Sequence, residues 1–179
     1  MDRHEFGQEQ RGVAFGMAGA LIATILVLGY AAMADRAAAP MPFSARLQGA
    51  IRLDTVVVAC LVAAIANVAR LRFFSRSDIA GSGGGPATES VRRAGAILQN
   101  SLEQAFLAIA VHLIVAAAFA RSDALIAALV ALFAIGRIAF WLGYSHGAKG
   151  RAFGFGLTFY PSVLALVASA VALMGGWAA

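Results

Sequence analysis

The chain alternates long apolar runs with short polar stretches, and the runs have the length of membrane-spanning helices. Val13–Met33 is uncharged over 21 residues, enough to cross a hydrocarbon core of about 30 Å at about 1.5 Å per residue. Thr55–Ala69 is a shorter uncharged run. Its helix is expected from about Ile51 to about Phe74, with Arg52, Asp54, Arg70 and Arg72 at its ends. Ala105–Ala120 is uncharged again, and its helical pattern reaches back through Val91. Ala124–Tyr144 is apolar except for Arg137, and Ala152–Trp177 carries no charge and closes on Trp177, a residue type that anchors at membrane interfaces. Five helical spans follow. No strand-length alternation points to a barrel, and backbone groups in lipid must be satisfied internally, which leaves helices.

Composition sharpens this picture. Apolar residues make up 61% of the 179 and charged residues 13%, against roughly 45–50% and 25% in soluble domains. The mean hydropathy of +0.80 excludes both an ordinary soluble domain and a disordered chain. A single cysteine, Cys60, precludes an intrachain disulfide, and no cluster of metal-ligating cysteines exists, so no metal site is expected. Cys60 itself reads as an inert buried thiol.

The formal charge of +5 would raise nucleic acid as a partner in a soluble domain. Here the cations are arranged around a bilayer instead. One side holds Arg3, Arg11, Arg70, Arg72, Arg76, Arg92, Arg93, Lys149 and Arg151; the other holds Arg36, Arg46, Arg52 and Arg121. The nine-to-four split assigns the 70–93 and 145–151 loops, and with them the amino terminus, to the cytoplasm of a multi-pass membrane protein. Ala32-Met33-Ala34 before Asp35 also has the form of a signal-peptide cleavage site. The long apolar run and the acids Asp2, Glu5 and Glu9 favour a retained helix.

The loops carry little chemistry. Ser82-Gly83-Gly84-Gly85-Pro86 reads as a flexible linker, since it lacks the strand and the Lys-Ser/Thr of a phosphate-binding loop. Thr88-Glu89 reads as a helix cap and first turn. Arg92 and Arg93 read as positive-inside anchors or lipid head-group contacts.

Polar residues inside the spans carry more information. Arginine at a helix centre costs roughly 2.5–3.5 kcal/mol on the insertion scale, so Arg137 requires a partner or a wet cavity. Asn100 and Glu103 are one turn apart, and Arg137 and Tyr144 share a face of the next helix. With antiparallel neighbours joined near Arg121–Asp123, Tyr144 faces the level of Asn100. Arg137 can then reach Glu103 by extending toward water. An Arg137–Glu103 ion pair beside a net-positive pocket is expected, with Arg70 and Arg151 at the same surface. Such groups can equally well stitch a bundle together. His112, on the opposite face from Glu103, is expected to be a satisfied packing residue.

These spacings resemble a known family. Gln99-Asn100-Ser101-Leu102-Glu103-Gln104 followed by Phe106 is similar to the Asn-x-x-Glu signature of the membrane-associated proteins in eicosanoid and glutathione metabolism (MAPEG), in a form like that of bacterial members. The stretch from Arg137 to Tyr144, then Arg151, resembles the Arg-x6-Tyr of that family's third helix and its following arginine. Val68-Ala69-Arg70-Leu71-Arg72 resembles the basic end of its first helix. The resemblance implies an all-α integral membrane fold, a four-helix bundle over residues 50–179. Residues 1–49 would supply an additional amino-terminal transmembrane helix (13–33) and an external loop.

It also implies a homotrimer in the lipid bilayer, binding glutathione and acting on lipophilic electrophiles as a transferase or peroxidase. Arg70, Asn100, Glu103, Arg137 and Tyr144 would hold the tripeptide and Arg151 would sit by its sulfur, with Arg151 and Tyr144 in the catalytic roles. Three positions depart from the pattern: Ala96 replaces a usual arginine, no proline follows Glu103, and Phe140 lacks a hydroxyl that some members carry. The alternative is a non-catalytic membrane scaffold of the same fold. A transporter is disfavoured by the absence of inverted repeats or paired broken helices.

Overall fold

The structure is a computed structural model, described here for residues 3–81 and 85–176. It consists of five helices: α1 (Arg3–Ala37), α2 (Phe43–Phe73), α3 (Glu89–Ala118), α4 (Asp123–Gly143) and α5 (Gly147–Met174). No strand occurs among the described residues. Four helical stretches, the last of them α4 and α5 taken together, are long and apolar enough to cross a membrane. The last of them, the 52 residues Asp123–Met174, would span about 78 Å if straight, far more than the bilayer needs. A single 3-10 turn at Tyr144–His146 breaks it, and α5 folds back antiparallel on α4. Five crossings therefore agree with the sequence. The stretches around Ser82–Gly84 and at Trp177 lie outside the described residues.

Glycine makes the α4–α5 reversal possible. Gly147, with φ +81°, occupies the left-handed region at the turn. Beyond it the two backbones lie so close that a Cβ on Gly136 would sit 2.7 Å from Thr158 Cγ2 and 2.9 Å from the Gly154 carbonyl oxygen. Close approach of this kind is how helices associate in lipid, where apolar side chains gain nothing from leaving the solvent.

α1 packs mainly on α5 and secondarily on α4. Ala20, Thr24 and Ala31 are buried on its inner face, while Phe15, Ile22, Leu26 and Tyr30 are exposed. Two carboxylates fasten it. Near its start, Glu9 accepts the Lys149 N–H at the amino end of α5 (3.1 Å) and approaches the Lys149 ammonium at 3.6 Å. Near its end, buried Asp35 accepts the Ala124 and Leu125 N–H groups of the first turn of α4, both at 2.9 Å. Both contacts place a negative charge at the positive pole of a helix, where it also satisfies donors without an intrahelical partner. α1 thus extends to Ala37 as an integral part of the bundle, four residues beyond Met33.

α2 starts at Phe43, eight residues before the expected start, so residues 43–49 are helix and not external loop. The charge of Arg46 does not stop it, because its Nε donates to the Ala116 carbonyl at the end of α3 (3.0 Å) and its Nη1 to the Met41 carbonyl (2.9 Å). Asp54 is consequently not a terminal residue. It is buried within α2 and bonds His112 Nδ1 of α3. His112 is satisfied as expected, by an acid within the bundle. Cys60 is half-buried rather than buried.

The two ends of the bundle differ. At one end the linkers 38–42 and 119–122 are short and joined, Met41 N–H to Ala120 carbonyl at 2.9 Å and Arg121 Nε to Ala38 carbonyl at 2.8 Å. At the other, the long α2–α3 loop is closed by Asp78, which accepts Ser75 Oγ, the Thr88 N–H and Thr88 Oγ1. Those donors, the Ser75 hydroxyl foremost, hold the Asp78 carboxyl below the usual carboxylate range. Thr88 stands at the amino end of α3 as expected, but its hydroxyl goes to Asp78 and not to the helix. Arg92 and Arg93 fold back onto the Ala87 carbonyl and Glu89.

Candidate functional site

At the long-loop end, four helices border an open cavity of about 470 Å³. Ala96 and Asn100 of α3, Phe140 of α4, Tyr144 at its end, and Arg151, Ala152 and Phe155 of α5 line it. Val13 and Met17 of α1 complete the wall. Three of the six residues singled out from the sequence therefore meet here: Asn100, Tyr144 and Arg151. Asn100 and Tyr144 share a level because α3 and α4 are antiparallel neighbours, and Trp141 Nε1 donating to Ser101 Oγ (3.3 Å) marks the same register.

Arg137 stands behind this wall. It is fully buried; its Nη1 donates to Asn100 Oδ1 at 2.9 Å and its Nη2 to Thr158 Oγ1 at 2.8 Å. Its guanidinium carbon lies 4.6 Å from the centre of the Phe140 ring, while its Nε finds no partner. Phe140 contacts Tyr144 edge to face at 5.4 Å between centroids, and the Arg151 guanidinium lies 4.6 Å over the Tyr144 ring. A column of cation, ring, ring and cation results. Such cation–π contacts contribute about 0.5–2 kcal/mol each, the larger value where water is excluded.

The Arg137–Glu103 ion pair is not formed. Glu103 is exposed and accepts Gln99 Nε2 at 2.9 Å on its own helix. Residues three apart on a helix differ by about 60° in direction, and that offset turns Glu103 outward while Asn100 faces the interior. Arg137 reaches past the level of Glu103 to Asn100 by the extension expected of a long cationic side chain. Arg70 is also exposed and donates to Asn67 Oδ1 of its own helix (3.1 Å). The chain thus brings Asn100, Tyr144, Arg137 and Arg151 together and leaves Arg70 and Glu103 on outward faces.

The arrangement determines what the cavity can bind. Because arginine only donates, Asn100 must turn Oδ1 to Arg137, which directs its amide N–H groups elsewhere. Arg151 makes no side-chain hydrogen bond or ion pair among the described residues. Asn100, Tyr144 and Arg151 together offer hydrogen-bond donors and one unneutralised cation, suited to an acceptor-rich or anionic group. Ala96 and Phe140 also line the cavity, and neither brings a charge or a side-chain hydrogen-bonding group.

Two features escaped the sequence. Thr158 was the unforeseen partner of Arg137; both it and Arg137 are polar positions inside apolar runs, and that coincidence was the available signal. The α1 wall had none, since Val13 and Met17 look like any lipid-facing residues. A family model described as the MAPEG family matches residues 53–171, two-thirds of the chain, from α2 into α5. No curated protein and no solved structure matches the chain. α1 lies wholly outside the matched region.

Proposed function

The chain belongs to the MAPEG family, and from that premise we propose that it binds glutathione in the cavity at the long-loop end and transfers it to a lipophilic electrophile dissolved in the membrane. The observation that carries this reading is the donor set: an unneutralised Arg151 beside Tyr144 and an Asn100 oriented by buried Arg137. A thiol with a pKa of about 8.5 is mostly protonated at neutral pH, and a guanidinium beside it favours the thiolate. In conjugation the thiol proton passes to water, the sulfur attacks the electrophilic carbon, and the electron pair displaced there departs with a leaving group or, at a double bond, takes a proton from water. If the acceptor is a hydroperoxide, a second thiol reduces the resulting sulfenic acid and releases a disulfide and water. Arg151 and Tyr144 take the catalytic roles; Arg70, Asn100, Glu103 and Arg137 take the binding roles, Arg137 through Asn100.

Arg70 and Glu103 enter this scheme through a homotrimer. Glu103 lies about 22 Å from the far end of α3 by helical rise, within a hydrocarbon core of about 30 Å. An exposed carboxylate at that depth costs too much to face lipid, so a neighbouring protomer covers it. The nine-to-four distribution of basic residues supports a cytoplasmic amino terminus and long-loop end, in a bacterial inner membrane. The cavity then faces the compartment that holds the soluble thiol.

The test is the ultraviolet absorbance of the glutathione thiolate bound to purified protein. It should be present in the wild type and lost in Arg151→Ala. Absence of the signal in the wild type contradicts the reading. Ala96 in place of an arginine favours one second reading, a non-catalytic scaffold. On that reading Arg151→Ala and Tyr144→Phe leave assembly and stability unchanged, and glutathione produces no shift in melting temperature.

A further inference from the structure

A second cavity, at the short-linker end, takes no part in this chemistry. It measures about 520 Å³, within the range of about 300–1,000 Å³ typical of small-molecule pockets. It exists because α1 leans against the remainder of the bundle: Ile25, Leu28 and Ala32 form one wall, and α4 and α5 the other. Its polar groups are confined to one end, where Asp35, Arg36 and Arg121 form the rim.

The charges at that rim do not cancel. Both oxygens of Asp35 are engaged by the Ala124 and Leu125 N–H groups. Arg121 uses only its Nε, on the Ala38 carbonyl, so both of its Nη groups remain available. Arg36 is exposed and makes no side-chain hydrogen bond among the described residues. Two guanidinium groups therefore border an apolar slot.

The length of the slot identifies its occupant. From Ile25 to Arg36 the helix rises about 16 Å, close to half of a hydrocarbon core of about 30 Å. A slot that begins at interfacial arginines and ends near the bilayer midplane matches one leaflet. We propose that it holds one acyl chain of a phospholipid with an anionic head group, its phosphate paired with Arg36 and Arg121. Guanidinium groups pair phosphate oxygens with two parallel hydrogen bonds, and a net-anionic head group adds attraction that a zwitterionic one offsets with its own ammonium. The site is a property of α1, which lies outside the family match.

Purified full-length protein, equilibrated with phosphatidylglycerol and phosphatidylcholine of identical chains, tests this by native mass spectrometry of the retained lipid. The wild type should retain phosphatidylglycerol in preference. Arg36→Gln, which removes no hydrogen bond within the protein, should reduce that preference roughly fivefold. Ala32→Trp, which fills the slot with both arginines intact, should release either lipid. Equal retention of the two lipids overturns the proposal, as does an unchanged preference in Arg36→Gln or unaffected retention in Ala32→Trp. Retention of a free fatty acid of the same chain length in place of the phospholipid overturns it too.

Discussion

Two sets of charged residues in the bundle use their charge differently. At the short-linker end, Asp35, Arg46 and Arg121 each cross to the backbone of another element and satisfy its terminal groups. At the long-loop end, Glu9 and Asp78 do the same, but Arg151 reaches no acceptor and faces a cavity. Charged groups whose hydrogen bonds close within the chain hold the fold together. A charged group left without an acceptor beside an oriented amide is available to a ligand. The difference teaches that burial alone does not single out the open groups of this membrane protein: fully buried Arg137 is spent on Asn100 and Thr158, and half-buried Arg151 is the cation left facing the cavity.

Substitutions can break this comparison in order of size. Asp54→Ala should have the largest effect, about 3 kcal/mol in denaturant or thermal unfolding, because it leaves the His112 imidazole buried without its acid. Joint replacement of Asp54 and His112 by leucine should recover most of that loss. Asp35→Ala should cost about 2 kcal/mol by leaving two N–H groups of α4 unsatisfied. Limited proteolysis should then cut near residue 37 while the family core stays intact.

The smallest effect is that of pH on the long loop. The carboxyl of Asp78 is held low by the Ser75 hydroxyl and by Thr88, so its contribution is complete above the ordinary carboxylate range. It is lost as pH falls through the lowered folded value. The protection of the first-turn amides of α3, taken as their exchange rate relative to the free amide at the same pH, should fall on that acidification, and Asp78→Asn should show the low protection at all pH values.

The fold was largely legible because lipid enforces a simple rule: every uncharged run long enough to cross became a helix. The start of α2 was missed for a reason within the same rule. Arg52 and Asp54 look like an end in sequence, yet Asp54 is buried against His112 and the helix runs back past Arg46, whose charge the carbonyl end of α3 absorbs. In antiparallel α2 and α3 Asp54 stands level with about residue 108, one turn from His112. At the site, Arg137, Asn100, Tyr144 and Arg151 were legible from spacing and family motif. The partner chosen by Arg137 was not, because a 60° difference between Asn100 and Glu103 is smaller than spacing alone resolves. α1 as a wall of the cavity left no trace in sequence, since contact between distant helices depends on small residues that every span contains.

The central claim is that Arg151 is an unengaged cation of a ligand cavity whose amide is oriented by Arg137. Melting temperature with and without glutathione, for the wild type and Arg151→Ala, tests it most directly. The account predicts a rise with glutathione in the wild type and none in Arg151→Ala, whose unliganded stability falls by no more than the roughly 0.5–2 kcal/mol of its contact with the Tyr144 ring. No shift in the wild type, or an equal shift in both, contradicts it.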